Sequence, residues 1–329
     1  RKHFFQVFTL IFIIILINSS VKAADNDSLR LGIVAYVGEA TNFHAIEQGY
    51  FEKEGLTIQV RINQSGYKSL SQLVNDDLDM CTVEPTPFIF KALQKSNRLA
   101  DFRIVASILE SASMNNLVAV DGRKVSSVRD LTGKRLGLAQ GTSSDYFWHM
   151  TALTNGIHPS DVRLIDIPVP KMANAVKNRR IDAAIAWTPY DSEVLAQAGK
   201  HAKRLPTRQV YTTNWLVVVS SETIENNSLQ IMQYLRALER AEKDLENSPI
   251  KVAKSHAEQI GSDTQLLLKD YERLEFDLSL TESLLVTLHQ QAEWALNSGL
   301  AQGNVPNFRK YLATEPLRKT NSNRIRLLK

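Results

Sequence analysis

Gly141-Thr142-Ser143-Ser144-Asp145 has the composition of a ligand-holding turn, following a short apolar run and opening a helical pattern. A glycine lets a ligand approach the backbone, two serine hydroxyls donate, and the free amides of a first helical turn favour an anionic group. The same spacing also makes an ordinary cap from Thr142 to Asp145 that holds nothing. Trp187-Thr188-Pro189-Tyr190-Asp191 ends a second apolar run. Thr188 as helix cap, Pro189 as first helical residue and Asp191 in the first turn have structural reasons to be there. Trp187 has none, and points either into a cleft or under a neighbouring loop. Glu84-Pro85-Thr86-Pro87 is the matching stretch earlier in the chain, with Glu84 in the place of Trp187. Glu84, Glu39 and Glu110 would put negative charge around a cleft mouth. That favours a ligand with an amine or a ring N–H over a bare anion, although each carboxylate could equally be solvated or paired. Tyr36, Asn116 and Trp215 stand at strand ends and supply aromatic walls with a polar group, as small-molecule sites do. Trp148 and His149 read as core and surface.

Enzymatic signatures are missing. The chain has no G-x-S-x-G elbow, no Walker-type loop and no G-x-G-x-x-G. His44, His149, His158, His201, His256 and His289 are scattered, without the pair spacing that holds zinc. Cys81 is the only cysteine, so neither an internal disulfide nor a thiol cluster can form, and it reads as core filler. No catalytic residue, metal or cofactor is expected.

The elements that must position these residues are written twice. Arg30-Leu31-Gly32-Ile33-Val34 opens one stretch and Arg135-Leu136-Gly137-Leu138-Ala139 another. Each leads through helix, strand and helix to an Asp-led apolar strand, at Asp79 and Asp182, running into proline. Two β-α-β-α-β units make two α/β lobes whose strand ends face one cleft. In the first copy a helix carrying Phe43, Ile46 and Tyr50 closes at Gly55, and a strand runs from Leu56 to Ile62. After a break at Ser65-Gly66, Ser69-Leu70-Ser71-Gln72 reads as a capping box, and Thr86-Pro87 as the next helix start. Ile104–Leu109, Asn116–Val120 and Tyr211–Ser220 are extended and apolar. They read as crossings that leave lobe one near 110 and return near 215, a two-strand hinge. From 222 the chain is mostly helical, and Leu280, Leu284, Leu285, Leu288, Ala292 and Leu296 form a stripe expected to pack on lobe one. After Ala313 the sequence is polar and basic, and a loosely held tail is expected.

The start reads as a secretory leader. Arg1, Lys2 and His3 precede an apolar run from Phe4 to Ile17, and Val21 and Ala23 stand where a signal peptidase reads. That run falls short of the roughly 20 residues of a spanning helix, so cleavage near Ala23 is preferred over an uncleaved anchor. No cysteine near the cleavage point suggests a lipid anchor. The formal charge of +4 across 329 residues owes much to this leader and to the basic tail. The rest is near neutral, which disfavours a nucleic-acid-binding face. The expected division is 1–23 signal peptide, 24–110 lobe one, 111–214 lobe two, 215–313 return to lobe one, and 314–329 basic tail.

Several ordered motifs resemble one family across nearly all of the exported chain. They are Gly49-Tyr50-Phe51-Glu52-Lys53-Glu54-Gly55-Leu56, Asp130-Leu131-Thr132-Gly133-Lys134-Arg135-Leu136-Gly137, Gly141-Thr142-Ser143-Ser144, the stretch Ile181 to Tyr190, and Pro306-Asn307-Phe308-Arg309-Lys310-Tyr311-Leu312. They resemble the nitrate/sulfonate/taurine-type solute-binding proteins of ABC importers, whose relatives also bind a thiamine pyrimidine precursor. The resemblance implies a type II periplasmic binding protein fold, two Rossmann-like lobes joined by a two-strand hinge. It also implies a periplasmic, monomeric protein that delivers a small solute to an ABC permease and its ATPase. By position, the family's ligand loops fall on Tyr36-Val37-Gly38-Glu39, Ser65-Gly66, Glu84-Pro85-Thr86, Gly141 to Ser144 and Trp187-Thr188. Where Thr188 stands the family usually has Glu, so its pocket chemistry does not transfer there. Two rival functions remain: a sensory receptor module, and an enzyme related to the thiamine-pyrimidine synthases. No spanning pattern after 313 counts against a one-chain sensor, and the lone cysteine with a leader counts against the synthase.

Overall fold

Arg30 and Asp79 tie the first copy together. The Arg30 amide and Nε both donate to Asp79 Oδ2, at 2.7 and 3.0 Å, and Nη2 donates to Oδ1 at 2.7 Å. Nη1 donates to the Asp76 carbonyl at 3.0 Å. Arg135 repeats the pattern on Asp182, at 2.9, 3.0 and 2.9 Å, with Nη1 on the Arg179 carbonyl at 2.8 Å. Asp76 and Arg179 share one more property: both hold positive φ, 64° and 53°, a conformation rarely adopted by residues other than glycine. The duplication therefore reaches individual atoms.

The computed structural model describes residues 28–94, 101–207 and 212–328. The expected secretory leader lies outside the described residues. β1 (Ser28–Val34), β2 (Thr57–Asn63), β3 (Met80–Val83), β4 (Phe102–Ser111) and the later β10 (Thr213–Ser220) form one sheet, ordered β2-β1-β3-β10-β4. β5 (Asn115–Ala119), β6 (Arg135–Leu138), β7 (Arg163–Asp166), β8 (Ala183–Trp187) and β9 (Lys203–Arg204) form the second, ordered β7-β6-β8-β5-β9. Each sheet has a parallel core of three strands in matching register. Leu31 and Gly32 pair with Met80 and Cys81, and Leu136 and Gly137 pair with Ala183 and Ala184. Each core then takes one antiparallel neighbour that arrives from the other sheet: β10 beside β3, and β5 beside β8. The chain passes between the sheets twice, at 112–114 and between β9 and β10.

Helices Ser228–Asn247, Pro249–Ile260, Thr264–Tyr271 and Glu282–Asn297 share one continuous core with the first sheet. Leu280, Leu284, Leu288 and Ala292 are buried in it, as the stripe predicts, with Leu285 and Leu296 at its margin.

Several local expectations need correction. The helix after β2 runs Gly66–Val74, starting before the supposed box at Ser69. Ser65 caps it by accepting the Lys68 amide at 3.3 Å, while Ser71 turns its hydroxyl back to the Tyr67 carbonyl. The helix after β3 starts at Pro85 with Glu84 before it, because a proline lacking its N–H fits the first helical position. The helix after β8 starts at Tyr190, and Thr188 does not cap it. The end of the chain is also held rather than loose. Thr314–Thr320 is helical, and β12 (Ile325–Arg326) pairs in parallel with β11 (Leu280–Thr281). Arg324 Nη1 reaches the buried Glu242 at 2.6 Å and the half-buried Asp277 at 3.3 Å, so these acids meet a charge that the sequence presents as solvated. His149 is half-buried, its ring 6.1 Å from that of Trp294.

Candidate functional site

Parallel strands of each sheet end at one edge, followed by a turn and a helix start. After β1 come Tyr36, Gly38 and Glu39. Glu39 is fully buried and its carboxylate gathers four donors: Asn42 Nδ2 at 2.7 Å, Trp215 Nε1 at 2.9 Å, the Val34 amide at 3.3 Å, and the Thr82 hydroxyl. Burial pushes its pKa up from the ordinary value, and the donors pull back. The Tyr36 ring lies 4.9 Å from that of Trp215, and its hydroxyl donates to Met114 Sδ at 3.3 Å. Gly38 allows this packing: a Cβ there would stand 2.7 Å from the Tyr36 ring and 2.9 Å from Leu109. Ser65 serves as a helix cap on the same edge. Gly66 lets that helix approach β3, where a Cβ would meet Val83 Cα at 3.0 Å.

After β6 the turn serves itself first. Gly141 holds φ +72° and its amide donates to Asp145 Oδ2 at 3.2 Å. Thr142 donates to the Ala139 carbonyl at 2.7 Å and accepts the Ser144 amide at 3.2 Å. This is the capping alternative realised in the turn. Ser143 and Ser144 engage groups outside the turn. Asn115 Nδ2 donates to Ser143 Oγ at 3.3 Å, and Ser144 Oγ donates to Asn115 Oδ1 at 3.1 Å. Glu84, at the end of β3 in the other lobe, lies beside the amide and hydroxyl of Ser143; desolvation pushes its carboxyl up while these neighbours pull it down. A carboxylate of lobe one thus sits on the start of helix Ser143–Thr154 in lobe two, where the backbone favours negative charge.

At the far side of the edge, Trp187 is partly buried against both the lobe-one core and a cluster of Ala139, Val169 and Ala186. Thr188 donates to Asp270 Oδ1 at 3.4 Å, a second link between lobes. Asp191 and Asp270 are buried, and each carries one oxygen without a partner, Oδ1 and Oδ2 respectively. Arg204 Nε holds the other Asp191 oxygen at 2.8 Å, and Arg273 holds Asp270.

Three candidates face elsewhere. Thr86 turns away from the edge and donates to Gln291 Oε1 at 2.7 Å. Glu110 does not ring the mouth: it accepts from Asn214 at 3.0 Å and Thr281 at 3.1 Å. Asn116 pairs with Ala186 in the sheet, and its side-chain nitrogen has no partner. Its neighbour Asn115 reaches the Ser143 turn instead, because adjacent strand residues face opposite sides. Sequence reasoning missed Asn115, Asp270 and Trp294, whose ring lies 5.2 Å from that of Tyr146. Only Asn115 left a signal, as the other half of an Asn-Asn pair. Among the described residues no cluster of three or more His, Cys, Asp or Glu could hold a metal. None of the described helices is long and apolar enough to cross a membrane.

Comparison with known proteins places this geometry. A Brucella abortus (strain 2308) relative, named "Putative binding protein", is 29% identical over 171 residues, 52% of this chain and 51% of its own. The chain thus spans about half the length of such curated relatives. The Escherichia coli periplasmic aliphatic sulphonate binding protein SsuA superimposes with a TM-score of 0.74 at 17% identity, covering 87% of this chain and 97% of that one. A desulfurization enzyme, DSZB, superimposes with a TM-score of 0.67 at 16% identity, covering 90% and 99%. At these identities the likeness establishes the fold, the two-lobe type II periplasmic binding protein fold. Residues 39–251, more than half of the sequence, match the family described as NMT1/THI5 like, and the chain belongs to that family.

Proposed function

We propose that this protein is the solute-binding component of an ABC importer, exported to the periplasm, monomeric, and serving a permease and its ATPase. It would capture a small organic solute of the sulfonate, taurine, nitrate or pyrimidine kind between its lobes. One observation carries this reading: groups that follow the strand ends of one lobe meet groups of the other, Glu84 beside Ser143 and Thr188 on Asp270. A solute that contacts both edges only when they are together binds that arrangement preferentially and shifts the population toward it. Tyr36, Trp215 and Trp187 would cover the apolar body of the solute, with Glu39 keeping Trp215 in place. Ser143, Ser144 and Thr188 would fix its orientation. Gly38, Ser65, Gly66, Gly141 and Thr142 would shape the turns. The fold relatives named as binding proteins support this reading, and DSZB marks the enzymatic alternative. Cys81 lends that alternative no support: it is buried in β3 and desolvation pushes its thiol up, away from a reactive thiolate.

A thermal-shift screen of the exported chain against sulfonates, amino acids, nitrate and pyrimidines tests the proposal. A selective binder raises the melting temperature with concentration. Chemical turnover of a stabilising compound would instead favour an enzyme.

A further inference from the structure

Two of the helix starts at the strand ends have a carboxylate of this chain beside them. Glu39 sits at the start of helix Ala40–Glu47 in lobe one, satisfied by four donors. Glu84 reaches across to helix Ser143–Thr154 in lobe two and lies beside the amide and hydroxyl of Ser143. A sulfonate entering at that turn would have to displace Glu84 or share a desolvated space with it, and like charges repel strongly there.

Two carboxylate oxygens near the junction lack a donor. Asp191 Oδ1 and Asp270 Oδ2 are buried and lack partners, although an arginine holds the other oxygen of each residue. The two residues come from opposite lobes. Asp270 accepts the Thr188 hydroxyl and feels the charge of Asp191. A buried acceptor without a donor is costly, and a solute that supplies one relieves that cost.

We infer that the cleft selects a solute that donates hydrogen bonds through an amine, amide or protonated ring nitrogen, and that Glu84 excludes sulfonates from the Ser143 turn. This rests on the solute-capture reading and narrows its solute class. Equilibrium dialysis of the exported chain against a bacterial metabolite extract, with retained solutes released and identified by mass spectrometry, tests it. The expected result is retention of a nitrogen-donor compound without a sulfonate group. Its retention should fall about tenfold in Asp270→Asn, with Asp191→Asn as a second variant and thermal melts showing that both fold. Retention of a sulfonate, unaffected by Asp270→Asn, would overturn the solute class and leave capture standing. If the wild-type chain retains nothing, capture fails, and this inference fails with it.

Discussion

Glu39 faces no water and four donors, so its protonation belongs to the folding equilibrium of lobe one. Burial raises its pKa above the ordinary 4.5. A carboxyl raised in the folded state adds stability that is complete below the unfolded pKa and is lost as pH rises through the folded one. Urea melts should therefore show wild type gaining on Glu39→Gln as pH falls from about 8 toward about 4.5. A difference that stays flat, or grows with rising pH, would contradict this account. Trp187 is tested through binding: Trp187→Ala should weaken solute affinity by about 1–3 kcal/mol while leaving the melt cooperative. Unchanged calorimetric affinity would remove Trp187 from the site. At this scale the sequence was legible for residue type and less so for direction. The sequence singled out Asn116 at a strand end, but only the register of β5 against β8 shows that its neighbour Asn115 is the asparagine that reaches Ser143. Asp270 was invisible because its partner Thr188 lies 82 residues away.

Elements were most legible where the chain repeats itself. The Arg30–Asp79 and Arg135–Asp182 spacings announced two units, and in the structure each arginine bridges a strand start to its parallel neighbour with the same set of bonds. Helix starts slipped by one to four residues, because several hydroxyls near each start could cap it and tertiary packing chose among them. Gly66 shows such packing at work. Gly66→Ala should destabilise the protein by about 1–3 kcal/mol, since its Cβ would press on Val83 backbone that cannot move aside. A chemical melt unchanged by this substitution would show that the helix can lift off β3 at little cost. The final segment was misread for a different reason: its basic residues look solvated until Glu242, Glu239 and Asp277 appear beside Arg324. Arg324→Ala leaves the buried Glu242 without its cation and should cost about 1–3 kcal/mol in the same melts. No loss would mean that the tail contributes nothing to the fold.

The whole molecule is two copies of one unit that exchange a strand. β5 enters the second sheet from the first lobe, β10 returns the other way, and each lies antiparallel beside a parallel core. Both crossings end in regular hydrogen-bonded strands, which confines rotation to the short connections and preserves each lobe. The C-terminal helices thicken lobe one, and Trp294 carries that lobe to Tyr146 of the other. Glu84 on Ser143 and Thr188 on Asp270 then join the lobes at two further points. Capture requires these junctions to part and re-form around a solute. Labels on Lys68→Cys and Lys171→Cys, exposed sites on opposite lobes, would read this directly by electron–electron resonance, because buried Cys81 is shielded from labelling. The account predicts a broad, longer distance without solute that narrows and shortens by several ångströms when the solute found by thermal shift is added. An identical distance distribution with and without a solute that calorimetry shows to be bound would contradict it.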